Sequence, residues 1–196
     1  MSFKVTGENI YFRKLQEADV ATLMLAVDFN PFGEVPDENE NKYIWYSENK
    51  YNEAAVSSIS SGLASDSMGR MFLTICKKSD DSIIGYHILE YLPEKRIESI
   101  FSAIIASARN GSFYKEAGIL RHKFYFEGLQ AISARMKLPK DFSHYLDTLY
   151  TETEYEEEID YHGNWRWSTI SSSDWTTWID NSNQSSYKNQ NYTLTW

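Results

Sequence analysis

The segment that most constrains the fold begins at residue 71, where three strand-like stretches follow one another. MFLTICKK, SIIGYHILEYL and RIESIFSAIIA are separated only by the short SDDS and PEK turns, which predicts an antiparallel meander. The third stretch is apolar or small on both faces from Ile97 to Ala106. Strands covered on both sides have this composition, so this stretch is predicted to be the central strand.

The chain then changes its hydrophobic period. After Arg109-Asn110-Gly111-Ser112, the residues Ala117, Leu120 and Phe124 lie on one helical stripe, with Leu129 extending it. The strand-like stretch QAISARM follows this helix. A strand, loop, helix and strand in this order favour a right-handed parallel crossover, and such a crossover creates the crevice in which ligands usually bind.

The flanking regions supply further elements. A short strand is predicted at Ile10 to Leu15, and a first helix follows with its apolar stripe on Val20, Leu23, Met24 and Val27. The polar stretch Asn30 to Lys42 is predicted to be a loop insertion. A second helical region follows, in which these residues share a face: Val56, Ile59 and Leu63.

The last third of the chain ends in a hairpin and a short helix. Residues 140–149 indicate a short helix or turn, and TEYEEEIDY and NWRWSTIS are predicted to pair across His162-Gly163. Ser173 or Asp174 is a candidate cap for a helix in SSDWTTWID. The polar tail 180–196 is either a last strand or loosely ordered.

Composition excludes several classes of protein. The 196 residues, 42% of them hydrophobic, suffice for one core, so a single domain spanning residues 1–196 is predicted. Eighteen apolar residues never run together, and we expect a soluble, cytoplasmic protein. A net charge of −9 disfavours a nucleic-acid partner and suits a cationic one.

Metal and thiol chemistry have no support in the residue spacing. The four histidines share no HxxxH or similar pattern, so no metal site is predicted. Cys76 lies in an apolar strand, where burial is the ordinary expectation. The sequence also contains no GxSxG or comparable nucleophile motif.

The order β-α-α-β-β-β-α-β-α-β-β resembles that of the GNAT superfamily of N-acetyltransferases, in particular the branch that acetylates ribosomal-protein N-termini. Four stretches carry the resemblance over about residues 8 to 176: ENIYFRKLQEADVATL, DSIIGYHILEYL, IIASARNGSFYKEAGILRHKFYFEGL and EEEIDYHGNWRWSTISSSDW. It implies an α/β (α+β) fold with a mixed central sheet of about seven strands, an antiparallel meander, a β-α-β crossover and flanking helices.

The same resemblance implies an acyl-CoA-dependent N-acetyltransferase that acts on a primary amine, either a protein N-terminus or a small cationic amine. Acetyl-CoA would be the donor, and the amine would attack it directly, which agrees with the missing nucleophile motif. The strand and phosphate loop that would contact the coenzyme comprise these residues: Ile104, Ile105, Ala106, Arg109, Asn110, Gly111, Ser112, Phe113 and Tyr114.

The phosphate loop departs from the family pattern Arg-x-x-Gly-x-Gly/Ala. Arg109 is kept, but Ser112 and Tyr114 occupy the two small positions and the glycine stands at Gly111. Ser112 is alternatively an ordinary helix N-cap. These changes support a second hypothesis, a catalytically inactive GNAT-fold binding module whose contact patch would comprise the aromatic residues Trp175, Trp178 and Trp196.

Three residues are candidates for proton transfer. The stretch Lys140-Asp141-Phe142-Ser143 resembles the family's Asn-x-x-Ser, which makes Ser143 a candidate acid for the leaving thiolate, with Tyr145 as the alternative. Glu98, near the start of the central strand, is a candidate base. The acidic run Glu154 to Asp160 is either a solvated hairpin face or an attraction for a cationic acceptor.

Overall fold

A computed structural model describes residues 3–26, 69–109, 112–139, 155–160, 163–181 and 188–196. Within these ranges nine strands form one mixed sheet in the order β7-β8-β6-β5-β4-β3-β2-β1-β9. The strands are β1 (Lys4–Thr6), β2 (Ile10–Lys14), β3 (Gly69–Lys77), β4 (Ile83–Leu92), β5 (Arg96–Ile104), β6 (Ser133–Pro139), β7 (Tyr155–Asp160), β8 (Gly163–Ser171) and β9 (Thr193–Thr195). The prediction of about seven strands omitted β1, and β9 confirms the alternative of a final strand in the tail.

Helices flank the sheet. They are α1 (Glu17–Ala26), the four-residue α2 (Ala106–Arg109), α3 (Ser112–Lys123) and α4 (Ser172–Asp180). A single π-helical turn, Phe124–Gly128, extends α3, and a 3₁₀ turn, Pro93–Lys95, joins β4 to β5. The predicted loop at 30–42 and the second helical region around Val56 to Leu63 lie outside the described residues.

The predicted meander and crossover are confirmed. Strands β3, β4 and β5 pair antiparallel in succession, and β5 pairs parallel with β6 after α2 and α3. The predicted hairpin is confirmed by the antiparallel pairing of β7 with β8. The strand in QAISARM begins later than predicted, at Ser133, because Gln130 has a φ of 53° that ends the preceding π turn instead of extending a strand.

The cap of α4 also differs from the prediction. Ser171, not Ser173 or Asp174, is the N-cap residue. Its hydroxyl accepts a hydrogen bond from the Asp174 backbone N–H, and the Asp174 carboxylate accepts one from the Ser171 N–H. This reciprocal capping box satisfies two otherwise unpaired donors at the start of the helix.

Helices α1 and α3 pack on opposite faces of the sheet. The α3 face carries the main core, which includes Phe12, Leu73, Ile97 and Phe124. On this face His87 is fully buried, and its Nε2 lies 2.5 Å from the Tyr125 hydroxyl. A buried polar group needs such a partner, so this pair fixes the π turn against the centre of β4.

Asp19 pins the start of α1 to the opposite face. Its carboxylate accepts hydrogen bonds from both terminal nitrogens of Arg13, from the Gln16 backbone N–H at 2.9 Å and from the Thr74 hydroxyl at 2.9 Å. Burial alone would raise the pKa of Asp19, but the Arg13 and Gln16 hydrogen bonds outweigh it and hold that pKa below its ordinary value. Cys76 on this face is buried as predicted, and burial raises the pKa of its thiol.

Candidate functional site

Strands β5 and β6 separate along their length. They pair in parallel from Arg96 and Ser133 to Ser99 and Met136. Beyond that point β5 continues to Ile104 and β6 continues to residue 139, with no further pairing between these two described segments. The two strands therefore enclose a V-shaped opening, whose vertex lies at Ser99 and Met136.

A β-bulge coincides with this vertex. The register between β4 and β5 shifts because Ile88 pairs with Phe101 while Leu89 pairs with Ser99, which leaves Ile100 as the extra residue. A bulge bends its strand and ends regular pairing. The bend at Ile100 turns the second half of β5 away from β6, and the sequence carried no signal for it.

The second half of β5 borders the opening with its backbone. The Ile105 N–H donates to Ile84 O at 2.9 Å, so residue 105 directs its backbone toward β4. Because backbone direction alternates along an antiparallel pair, Ser102 and Ile104 direct their N–H and C=O groups into the opening. Of the three residues predicted to contact the coenzyme arm, Ile104 thus faces the opening. The Ile105 N–H is used in the sheet, and Ala106 starts α2.

The wide end of the opening leads to the N-terminus of α3. Arg109 ends α2 and Ser112, which is exposed, starts α3. Asn110 and Gly111 lie outside the described residues. The first N–H groups of a helix have no intrahelical acceptor and favour anions. The twelve-residue α3 therefore offers donors at the position that the resemblance assigned to the phosphate loop.

The two aromatic residues of the first turn of α3 face the protein. Phe113 and Tyr114 are half-buried and pack against the hydrophobic core. The Lys77 ammonium lies 5.5 Å from the centre of the Phe113 ring. Tyr114 thus has a packing role at this position, and its ring is not an exposed side chain.

Glu116 fixes the orientation of α3. Although it is only 3% exposed, its carboxylate accepts hydrogen bonds from the Asn9 N–H at 2.7 Å, the Asn9 side-chain amide at 3.0 Å and the Ile10 N–H at 3.2 Å. A Cβ atom at Gly7 would lie 2.6 Å from Glu116 Oε1. Glycine at position 7 therefore lets the β1–β2 turn close around this carboxylate.

Glu98, the predicted base, lies on the α1 face next to the vertex. Its Oε2 accepts hydrogen bonds from Nε and Nη2 of Arg135, at 3.1 and 2.8 Å, on the adjacent strand β6. The Arg135 guanidinium in turn lies 4.5 Å from the centre of the Trp167 ring. Glu98 is therefore held in place by an oriented arginine, an arrangement that sequence spacing did not reveal.

An open pocket of about 320 Å³ adjoins this pair. It is lined by two arginines, two hydroxyl residues and two aliphatic residues: Leu92, Arg96, Ile97, Ser133, Arg135 and Thr169. None of these six carries a carboxylate. The pocket lies at the closed end of the V, where β5 and β6 begin.

Some of the remaining predicted site residues lie outside the described residues, and the others pack inside the protein. Ser143 and Tyr145 lie outside the described residues, as do the side chains of the acidic run on β7. Among the three tryptophans of the predicted contact patch, Trp175 is only 2% exposed and stacks on His122, and Trp178 and Trp196 pack against the core. The prediction of an exposed patch was wrong, because Trp175 and Ile179 form the buried stripe of α4.

Neither metal ligands nor membrane spans are found in the part of the chain that the structure describes. No group of three or more His, Cys, Asp and Glu side chains there could hold a metal ion. No helix there is both long and apolar enough to cross a bilayer.

Comparison with known proteins identifies the architecture. No protein-family model matches the sequence, and no curated protein matches it. A GNAT-family acetyltransferase from Bacillus anthracis is similar in structure, with a TM-score of 0.62 and 11% identity over 87% of this chain and 99% of that chain. A Vibrio cholerae protein described as a ribosomal-protein-serine acetyltransferase has a TM-score of 0.60 and 11% identity over 87% and 99% of the two chains.

A third similar structure is a spermidine N-acetyltransferase chimera from Vibrio cholerae and hSSAT, with a TM-score of 0.56 and 14% identity over 86% of this chain and 99% of that chain. At sequence identities of 11–14%, this structural similarity shows a shared fold and does not by itself show a shared function. The mixed sheet with its flanking helices matches the fold of these GNAT acetyltransferases.

Proposed function

We propose that this protein is an acyl-CoA-dependent N-acetyltransferase that acts on a primary amine. The observation that carries the proposal is the opening between β5 and β6, which has a bulge at its vertex and a helix N-terminus at its wide end. Similarity to GNAT acetyltransferases of known structure supports the same activity. The opening provides the two kinds of donor that an extended amide-containing arm and a pyrophosphate require.

The residues at the opening fit the donor molecule. The backbone groups of Ser102 can pair with an amide of the pantetheine arm as an added strand would. The N–H groups of Ser112 and Phe113 at the start of α3 would hold the pyrophosphate, with Arg109 adding positive charge. Asn110, Gly111 and Tyr114 complete this loop in the proposal.

The chemistry proceeds without a covalent enzyme intermediate. The amine lone pair attacks the thioester carbonyl carbon, a C–N bond forms, and the C–S bond breaks with its electrons passing to the thiolate. The amine loses one proton and the thiolate gains one. We assign removal of the amine proton to Glu98, directly or through water. We assign protonation of the thiolate to Ser143 or Tyr145, and this assignment rests on the sequence resemblance.

The acceptor is a primary amine. The sequence favoured a protein N-terminus or a small cationic amine, and the similar structures include one described as a ribosomal-protein-serine acetyltransferase and one described as a spermidine N-acetyltransferase. The acidic residues that the sequence places on β7 suit the positive charge of the amine group itself, since β7 and its partner β8 continue the sheet beyond β6.

Isothermal titration with acetyl-CoA and with coenzyme A tests the donor site. We expect micromolar binding that weakens by about tenfold in Arg109→Ala, because a charge-assisted hydrogen bond to phosphate is lost. Arg96→Ala is the matched control, since Arg96 lies at the closed end of the V and its loss should leave coenzyme binding unchanged. Wild-type protein that binds neither ligand at millimolar concentration would contradict the proposal.

Failure of this test would favour the alternative, a GNAT-fold protein that binds a partner without acyl transfer. The predicted aromatic contact patch no longer supports this alternative, because Trp175 is buried and Trp178 packs on it with ring centres 5.6 Å apart. The departures at Ser112 and Tyr114 remain in its favour. A partner search with the full chain would then be the next experiment.

A further inference from the structure

The pocket at the closed end of the V has a composition that an amine site alone does not require. We infer that it binds an anionic oxygen group, a carboxylate or a phosphate, carried by the acceptor amine. This inference rests on the proposed acetyl transfer and names the class of its acceptor. It is carried by Arg96 and Arg135, which line the pocket together with the hydroxyl residues Ser133 and Thr169.

Arg135 is oriented but retains donors. A guanidinium carries five N–H donors. The structure assigns the Nε and Nη2 groups of Arg135 to Glu98, and the guanidinium also lies over Trp167. None of the described residues accepts a hydrogen bond from its Nη1. The ring and the carboxylate hold the guanidinium plane while its outer N–H groups stay available to an anion, an arrangement suited to carboxylate or phosphate recognition.

Arg96 is the less committed of the two arginines. Its side chain is 52% exposed and its nearest carboxylate oxygen among the described residues, on Glu94, lies 3.7 Å away. Glu94 itself is 76% exposed, so this ion pair is strongly screened by water. The Arg96 Nε also donates to Pro93 O at 3.5 Å, a long bond. Arg96 can therefore turn its charge to a ligand at little cost.

The distance from the pocket to Glu98, the proposed base, limits the size of the acceptor. Arg96 lies two residues before Glu98 on the same face of β5, and each strand residue advances about 3.3 Å, which gives roughly 7 Å. An acceptor whose amine reaches Glu98 can place an anionic group between the arginines only if a short linker joins the two. The aliphatic side chain of Leu92 suits an alkyl linker.

Three amines of nearly equal length test the charge preference: 5-aminovalerate, pentylamine and 1,5-diaminopentane, which end in a negative, a neutral and a positive group. Binding is measured by isothermal titration with the full chain in the presence of coenzyme A, and acetyl transfer is measured in parallel. We expect 5-aminovalerate to bind at least about tenfold more tightly than pentylamine. Comparing the binding of phosphoethanolamine with that of ethanolamine tests whether the pocket binds a phosphate as well as, or instead of, a carboxylate.

Variants locate the effect in the pocket. Arg96→Gln should weaken 5-aminovalerate binding about tenfold and leave pentylamine unchanged, because only the anionic contact is lost. Arg70→Gln is the matched control. Arg70 also lies on the α1 face, but it pairs with Glu90 and does not line the pocket. Thermal melting of both variants confirms that each is folded.

The outcomes separate the two proposals. If 5-aminovalerate binds and loses affinity in Arg96→Gln while no acetyl transfer occurs, the anion pocket stands and the proposed activity fails. If acetyl transfer proceeds equally with all three amines, the activity stands and the anion pocket is refuted. Preference for 1,5-diaminopentane, equal losses for all amines in Arg96→Gln, or no binding of either the carboxylate or the phosphate amine also overturns the inference.

Discussion

The contact between Gly7 and Glu116 predicts a large energetic coupling between two residues 109 positions apart. Glu116→Ala removes the acceptor of three hydrogen bonds, one of them from the buried Ile10 N–H, while Asn9 is exposed and can turn to water. Since a buried donor left unpaired costs about 1–3 kcal/mol and the solvated bonds contribute less, we expect Glu116→Ala to lower the free energy of unfolding by about 3 kcal/mol.

Gly7→Ala acts on the same contact from the other side. Its new Cβ would lie 2.6 Å from Glu116 Oε1 and 3.3 Å from Leu120 Cδ2, so the carboxylate must move and its hydrogen bonds must stretch. Overpacking of this kind costs about 2 kcal/mol. In the double variant the carboxylate is absent and most of the clash disappears. The double variant should therefore be about 1.5 kcal/mol more stable than the sum of the single losses predicts.

Urea unfolding followed by far-UV circular dichroism measures these four free energies. Glu116→Gln supplies the control, because glutamine keeps the size of the side chain and therefore keeps the clash with Ala at position 7. The reasoning would be refuted if Gly7→Ala and Glu116→Ala were additive within about 0.5 kcal/mol. It would also fail if Glu116→Gln relieved the clash as well as Glu116→Ala does.

Three further predictions follow from single contacts. The pKa of Asp19 is lowered in the folded state, so its ionised carboxylate stabilises the fold above the ordinary carboxyl pKa and loses this effect as the pH falls toward the folded pKa. The difference in free energy of unfolding between wild type and Asp19→Asn, measured by urea unfolding, should therefore narrow below about pH 4. Tyr125→Phe should destabilise by about 1–3 kcal/mol since it leaves buried His87 without this partner, whereas Tyr192→Phe, whose buried hydroxyl has no hydrogen-bond partner among the described residues, should be neutral or stabilising in thermal melts. Glu98→Gln should lower kcat by about 10²-fold or more at unchanged coenzyme affinity, and equal kcat would exclude Glu98 as the base.

Local patterns were sufficient to predict the meander and the crossover. The apolar alternation of residues 71–106 and the change to a helical period after Ser112 are visible in the sequence itself, and the right-handed parallel connection follows from general chain geometry. The buried stripe of α3, which includes Ala117 and Leu120, was predicted for the same reason. These features depend on the spacing of neighbouring residues, which a single sequence contains.

The bulge at Ile100 and the Arg135–Glu98 pair depend instead on register between distant strands. Glu98 and Arg135 become neighbours only because Ile97 pairs with Ala134 in parallel, and no local spacing encodes that match. Trp175 was misjudged for a different reason. Its spacing from Ile179 indicates a buried helical stripe, but the polar residues around it suggested an exposed segment.

The pairing of β1 with β9 joins Lys4 to Thr195, so the first and last described strands are direct neighbours. Contacts between residues about 190 positions apart carry a high loop-closure entropy and form late in folding. During synthesis this edge of β1 stays unpaired until residues 193–195 have left the ribosome. A variant that lacks β9 would therefore present an open strand edge to other chains.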